Sequence, residues 1–253
     1  MSGKSKTGLW LLPVCLLSSF SSLAQETEPE AFRLSDIVQG VTAPQEVSTT
    51  LLVFILLTAL SLAPAILVMT TSFLRIIVVL GFLRQAMATQ QSPPNQVLVG
   101  LALFLTAFIM APTYQRVNND ALQPYIRGEI GQADALVRGL APVRSFMFRQ
   151  TNPKDLALFI TIAKLGRPNT PDDVPTHVLV PAFVISELRI AFQIGFIIYI
   201  PFLIIDMMVA STLMAMGMMM LPPVFVSLPF KIIMFVLADG WYLLIGSLVR
   251  SFQ

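Results

Sequence analysis

Three long stretches of this chain carry almost no charge, and that distribution constrains the fold more than any single motif. Residues 47–74 and 85–115 contain no Asp, Glu, Lys or Arg, and residues 190–249 contain only Asp206, Lys231 and Asp239. Leu51 to Met69, Val97 to Ala111, Ile190 to Met208 and Val224 to Val249 read as four apolar helices. Crossing a bilayer takes about 20 mainly apolar residues. Of the whole chain 55% is apolar and 12% charged, and the mean hydropathy is +0.77. The charged share is about half that of an ordinary soluble domain. A chain of 253 residues lacks the interior to hide so much apolar surface from water. A conventional soluble globule and a disordered chain are thereby excluded. A net charge of +2 gives no footprint for nucleic acid.

Prolines and charges divide the chain further. Ser92-Pro93-Pro94-Asn95 and Pro222-Pro223 mark turns, because paired prolines break helices. Arg75 and Arg84 enclose Ile76 to Leu83, which is too short to span and reads as a helix continuation or an interfacial segment. Residues 113–186 hold eight basic and six acidic residues among scattered prolines. They read as a water-facing, mainly helical insertion with helix-like stretches at Asp120 to Tyr125 and Gly131 to Leu140. The expected architecture is all-α: a first apolar helical hairpin over 48–112, the insertion over 113–186, and a second apolar hairpin over 187–253.

The N-terminus reads as a cleavable signal peptide over residues 1–24. Lys4 and Lys6 precede the apolar Gly8 to Phe20, and Ser22-Leu23-Ala24 has a small-x-small cleavage pattern. Residues 25–47 are polar and acidic. This places the mature N-terminus and residues 113–186 in the periplasm and the Arg75/Arg84 segment in the cytoplasm. That orientation agrees with the positive-inside rule, and a long insertion is weakly bound by its own eight basic residues.

Catalysis has little to work with. One cysteine, Cys15, and one histidine, His177, allow no His/Cys metal cluster, Cys/His dyad or Ser/His triad. His177 lies between Pro175 and Pro181 in what reads as a polar loop, as a surface histidine. No cofactor or metal is expected, and the chain reads as no enzyme.

Two features inside the apolar segments carry more. Asp206, Lys231 and Asp239 would each cost roughly 2.5–3.5 kcal/mol at a bilayer centre, so they must pair or face water or another subunit. With a hairpin tip near Met218, Asp206 and Lys231 each lie about a dozen residues away and are level. A pair within the hairpin and a pair across a subunit interface both satisfy this. Seven of the 13 methionines fall in Met207 to Met220, just before Pro222-Pro223 and around Gly217. Methionine fills irregular cores, but a loop of flexible thioethers can also close around different shapes. Repeated around a ring, it would seal a pore and still yield to a polypeptide.

Long motifs then make the chain similar to a known family. Leu62-Ala-Pro-Ala-Ile-Leu, Thr89-Gln-Gln-Ser-Pro-Pro-Asn, Phe183-Val-Ile-Ser-Glu187, Ile200-Pro-Phe-Leu-Ile-Ile-Asp206, Met216-Gly-Met-Met-Met-Leu-Pro-Pro223, Leu228-Pro-Phe-Lys231 and Asp239-Gly-Trp241 resemble the FliP family of flagellar biosynthetic proteins. The likeness covers nearly all of residues 50–253. It implies a core subunit of the flagellar type III export gate in the bacterial inner membrane and basal body. There a pentameric homo-oligomer with FliQ and FliR forms a helical channel, FlhB and FlhA join it, and unfolded flagellar subunits pass. It implies that Met216, Met218, Met219 and Met220 form the constriction gasket. Glu187, Asp206 and Lys231 then match charged positions suited to bridges between subunits, with Arg75 and Asp239 as further candidates. In this setting part of the apolar surface serves subunit packing rather than lipid. A small-solute secondary transporter and a scaffold without a pore are the alternatives. The first would show an inverted internal repeat, and the second would leave the methionines as filler.

Overall fold

The computed structural model describes residues 44–253, apart from Gln90, Arg167, Asn169, Met219, Gln253 and the side chains of residues 44–48. The expected signal peptide, the polar segment before residue 44 and Met219 of the expected gasket lie outside the described residues. Those residues form nine α-helices and no strand. The fold is all-α, as the charge pattern predicts.

The chain forms two units, residues 1–61 and 62–253. The described part of the first is the start of helix α1 (Pro44–Met69), where every side chain from 49 to 61 is exposed. A helix that is apolar on all sides and uncovered by its own chain suits lipid or a partner subunit, not water.

In the second unit, α1 ends at the buried Thr70-Thr71-Ser72, and α2 (Phe73–Ala86) follows at once. Helix α2 is the middle of the core. Ile76, Val79, Leu80 and Leu83 are 0–1% exposed, on the 3–4 residue spacing of one helix stripe. It is thus neither interfacial nor a continuation of α1, because its apolar stripe is covered by α3 and α7. Helix α3 (Asn95–Val117) continues through a π-helical turn (Asn118–Leu122) into α4 (Gln123–Ile126). The insertion adds α5 (Gln132–Gln150) and α6 (Pro153–Ile162). Then come α7 (Thr176–Ala215), α8 (Pro223–Leu237) and α9 (Gly240–Arg250).

Proline misleads in three places. Helix α3 runs through Pro112 rather than ending there, and α5 runs through Pro142. Helix α7 starts at Thr176, not Ile190, and passes Pro181 and Pro201. The expected boundary at 186/187 therefore falls inside a helix. An interior proline costs about 3 kcal/mol. Near the start of α7, Val178, Leu179 and Phe183 are at most 3% exposed. Burying each contributes roughly 1.5–3 kcal/mol, which outweighs one proline. His177 is exposed as expected, but it sits in the first turn of this helix and not in a loop.

The opposite error occurs at the C-terminus. Val224 to Val249 is not one helix: α8 and α9 meet at 64°. Asp239 takes a left-handed conformation at the break (φ 50°, ψ 48°), which Asp tolerates better than most residues. A Cβ on Gly240 would lie 2.3 Å from the Phe235 ring, so any larger residue there would have to displace the ring. The Asp239-Gly240 dipeptide was the available turn signal.

Two cores result. One joins α2 to Leu98 and Ala102 of α3, Ala191 and Phe202 of α7, Phe235 of α8, and Leu244 and Leu248 of α9. The other joins Met110, Phe146 and Met147 to Val174, Val178, Leu179 and Phe183. Phe252 packs against both. Gly195 of α7 is what lets α2 come close, since a Cβ there would stand 2.5 Å from the Phe82 ring. Gly195→Ala is expected to destabilise the fold by about 1–3 kcal/mol, as overpacking does, read as a lower Tm in detergent micelles. Gly100→Ala meets open space and serves as the control.

Candidate functional site: buried ion pairs and a methionine turn

Three span-length apolar helices, Thr49–Met69, Asn95–Ile126 and Thr176–Ala215, are joined by the bent pair α8 and α9 as a possible fourth. Of the charges singled out from the sequence, Arg75, Glu187, Asp206 and Lys231 form two ion pairs within the chain, and Asp239 is exposed.

Arg75 and Glu187 are both 0% exposed and form a two-pronged pair. Arg75 Nε donates to Glu187 Oε2 at 2.8 Å, and Nη2 donates to Oε1 at 2.5 Å. Nη2 also donates to Gln150 Oε1 at 3.0 Å, and Nη1 donates to Ser251 O at 2.8 Å and Ser251 Oγ at 3.0 Å. All five N–H groups of the guanidinium thus have an acceptor, the condition under which a buried arginine is tolerated. Its plane lies 3.8 Å from the Phe252 ring centre, and Gln150 Nε2 donates to Phe252 O at 3.1 Å. The hub ties α2, α5, α7 and the C-terminal residues together.

The second pair joins the expected hairpin. Lys231 Nζ donates to Asp206 Oδ2 at 2.7 Å, and Ser227 Oγ donates to Asp206 Oδ1 at 2.6 Å. Lys231 Nζ also donates to Ala86 O at 3.0 Å, the carbonyl at the end of α2. A cation at a helix C-terminus meets the negative end of the macrodipole. One of the two arrangements open from sequence, the pair within the chain, is formed in this subunit. Glu187 likewise pairs within the chain, through Arg75.

Asp239 faces outward, one of the arrangements open to it from the sequence. It is exposed and makes no ion pair among the described residues. Its role is the turn between α8 and α9.

The methionine run splits in two. Met207 to Met214 lie on α7, and Met216 onward forms the turn before α8. Gly217 closes the helix with φ +74°; its N–H donates to Met214 O and the Met218 N–H donates to Leu213 O, both at 3.0 Å. This is the Schellman ending, which requires a left-handed residue just past the helix. The side chains of Met216, Met218 and Met220 are 65%, 43% and 98% exposed. They are not core filler of this chain. Both proline pairs lie in the expected turns and open the next helix: Pro94 precedes Asn95 of α3, and Pro222 precedes Pro223 of α8. Arg84 braces the first turn by donating to Asn95 Oδ1 at 2.5 Å.

Sequence reasoning missed Gln150, Ser227, Ser251 and Phe252, because uncharged side chains give no signal at long range. It also missed the Arg189–Asp155 pair, in which Asp155 accepts from Ser186 Oγ at 2.9 Å and α6 is bound to α7.

An all-helical chain with span-length apolar helices and satisfied charges between them is an integral membrane protein by class. The profile of the FliP family matches residues 56–248. The flagellar biosynthetic protein FliP of Bacillus subtilis (strain 168) is 56% identical over 209 residues, covering 83% of this chain and 95% of the relative. The FliP of Caulobacter vibrioides (strain ATCC 19089 / CIP 103742 / CB 15) is 56% identical over 78% of this chain and 74% of its own length. The FliP of Aquifex aeolicus (strain VF5) is 52% identical over 81% and 86% respectively. The chain belongs to the FliP family.

Proposed function

We propose that this protein is a channel-forming subunit of the flagellar type III export gate, a passive gate with no catalytic step. It would sit in the inner membrane at the flagellar basal body, with residues 113–186 on the periplasmic side. The observation that carries the reading is the exposure of Met216, Met218 and Met220 in the turn at the end of a 40-residue helix. Uncharged thioethers held out from the fold have no role in this chain's own core. Around the axis of a homo-oligomer, a pentamer by family resemblance, they would meet as an apolar plug. An entering unfolded flagellar subunit would part them, and their flexible side chains would close on it.

The assembly half of the reading is supported by surface. Leu136, Val137 and Leu140 are 43–70% exposed on α5 of the charged insertion, where water rather than lipid is expected. Apolar patches of that kind mark protein interfaces. FliQ, FliR, FlhB and FlhA are the partners the family reading supplies.

The test is ion conductance of cells or bilayers carrying the assembled complex. Met218→Ala/Met219→Ala/Met220→Ala is expected to raise the leak by at least tenfold at unchanged complex yield. Unchanged conductance would reject the gasket. The mass of the complex extracted with co-expressed FliQ and FliR tests assembly, and a monomer throughout would reject the ring.

A further inference from the structure

We propose that α9 with Ser251 and Phe252 is a releasable flap, hinged at Asp239-Gly240 and latched on Arg75 and Gln150. It opens while the other helices of the same chain stay packed, and it is independent of the gasket reading.

The latch lies at the far end of α9. Among the described residues, every hydrogen bond from residues 240–252 to another helix is made at Ser251 or Phe252. Arg75 Nη1 donates to Ser251 O at 2.8 Å and to Ser251 Oγ at 3.0 Å, and Gln150 Nε2 donates to Phe252 O at 3.1 Å. The Phe252 ring lies 3.8 Å from the centre of the guanidinium and stacks on Phe146 at 6.3 Å with 20° between the planes. Helix α9 itself buries only Leu244 and Leu248, while Tyr242 and Leu243 are 70% and 56% exposed. A segment with few buried apolar groups and few cross-ties opens more readily than the core around it.

The hinge lies at the near end. Asp239 holds a left-handed conformation there, which costs free energy in any residue but glycine. Residues 230–253 contain no proline, so nothing covalent fixes the 64° bend between α8 and α9. The bend is maintained by what α9 docks on: Phe235 beneath Gly240 and edge-on to Trp241 at one end, and the latch at the other.

The charges of the hub permit release. Undocking Ser251 removes the acceptors of Arg75 Nη1 alone. Nε and Nη2 keep Glu187 Oε2, Glu187 Oε1 and Gln150 Oε1. The buried ion pair therefore survives, and no charge is left without its partner. Water that enters behind the strap can accept from Nη1 and from Gln150 Nε2. Opening of any segment that carries Glu187 would instead strand Arg75.

Thiol labelling of the full chain in micelles tests the flap. In a Cys15→Ser background, which removes the one native thiol, Leu248→Cys and Leu80→Cys each place a single thiol in the same core. Both leucines are 0% exposed, so a small methanethiosulfonate reaches either site only through an opening. Labelling at 248 should be roughly tenfold faster or more than at 80, the mark of a local rather than a global opening. Adding Phe252→Ala should speed labelling at 248 by a further factor of roughly ten and leave the rate at 80 within about twofold. Phe252→Leu, which keeps the apolar contact but not the stacking, should give an intermediate rate at 248 and serves where the alanine variant does not fold. Equal rates at 248 and 80 in the parent would overturn the proposal. So would a Phe252 substitution that speeds both sites alike, which would make Phe252 part of one cooperative core, or one that changes neither.

Discussion

Glu187→Ala is expected to lower the unfolding free energy of the micelle-solubilised chain by about 3–5 kcal/mol, the range for removing one partner of a buried ion pair. The reason is what stays behind. Arg75 is 0% exposed and would keep a full charge with only Gln150 and Ser251 as acceptors. A Tm drop on the order of 10 °C should follow. Arg127–Glu129 provides the contrast: 3.8 Å apart, with side chains 65% and 56% exposed. Exposed pairs of that kind contribute about 0–1 kcal/mol, so Glu129→Ala should scarcely move Tm. Arg75→Met/Glu187→Leu should recover much of the loss, because an apolar pair leaves no stranded charge. Equal Tm values for Glu187→Ala and Glu129→Ala would show that the hub does not hold the fold.

The second large effect is at the hairpin. Asp206→Ala should cost about 3 kcal/mol, because Lys231 is 2% exposed and would keep only the Ala86 carbonyl. Lys231→Met should cost less, since Asp206 is 26% exposed and retains the Ser227 hydroxyl. The double variant should lose less than the sum of the singles by about 1 kcal/mol or more, as contacting residues do. Strict additivity in a thermal or denaturant series would refute the pair. In the ring proposed for this family, both substitutions should also lower complex yield, through a subunit that no longer holds its hairpin.

How far the sequence was legible depends on the range of the forces involved. The helices are legible because apolar periodicity and the absence of charge are local. Their ends are not, where proline decides wrongly. Pro112, Pro142 and Pro181 lie inside helices because burial of neighbours such as Phe146 and Phe183 outweighs one lost hydrogen bond. The level of Asp206 and Lys231 could be counted from the hairpin tip, but whether they pair within the chain could not. Arg75 and Glu187 are separated by 112 positions, and nothing local connects them.

Asp239 shows the other limit. From the sequence its charge was free to pair or to face water or another subunit; the folded chain sets it exposed at a bend where Gly240 lies against Phe235. The methionine run was legible in composition but not in placement. Only the folded chain shows that Met216, Met218 and Met220 face outward and that Gly217 ends the helix beneath them.

By itself, then, the sequence determined the class: all helix, too apolar for water, with charges that demand partners. Its long motifs also pointed to the family. The tertiary structure decided which charges meet within the chain, that α2 is core, and that Met216, Met218 and Met220 are surface. Composition and periodicity act within a turn or two of helix. Pairing and burial depend on which distant segments come into contact, and only the packed chain settles that.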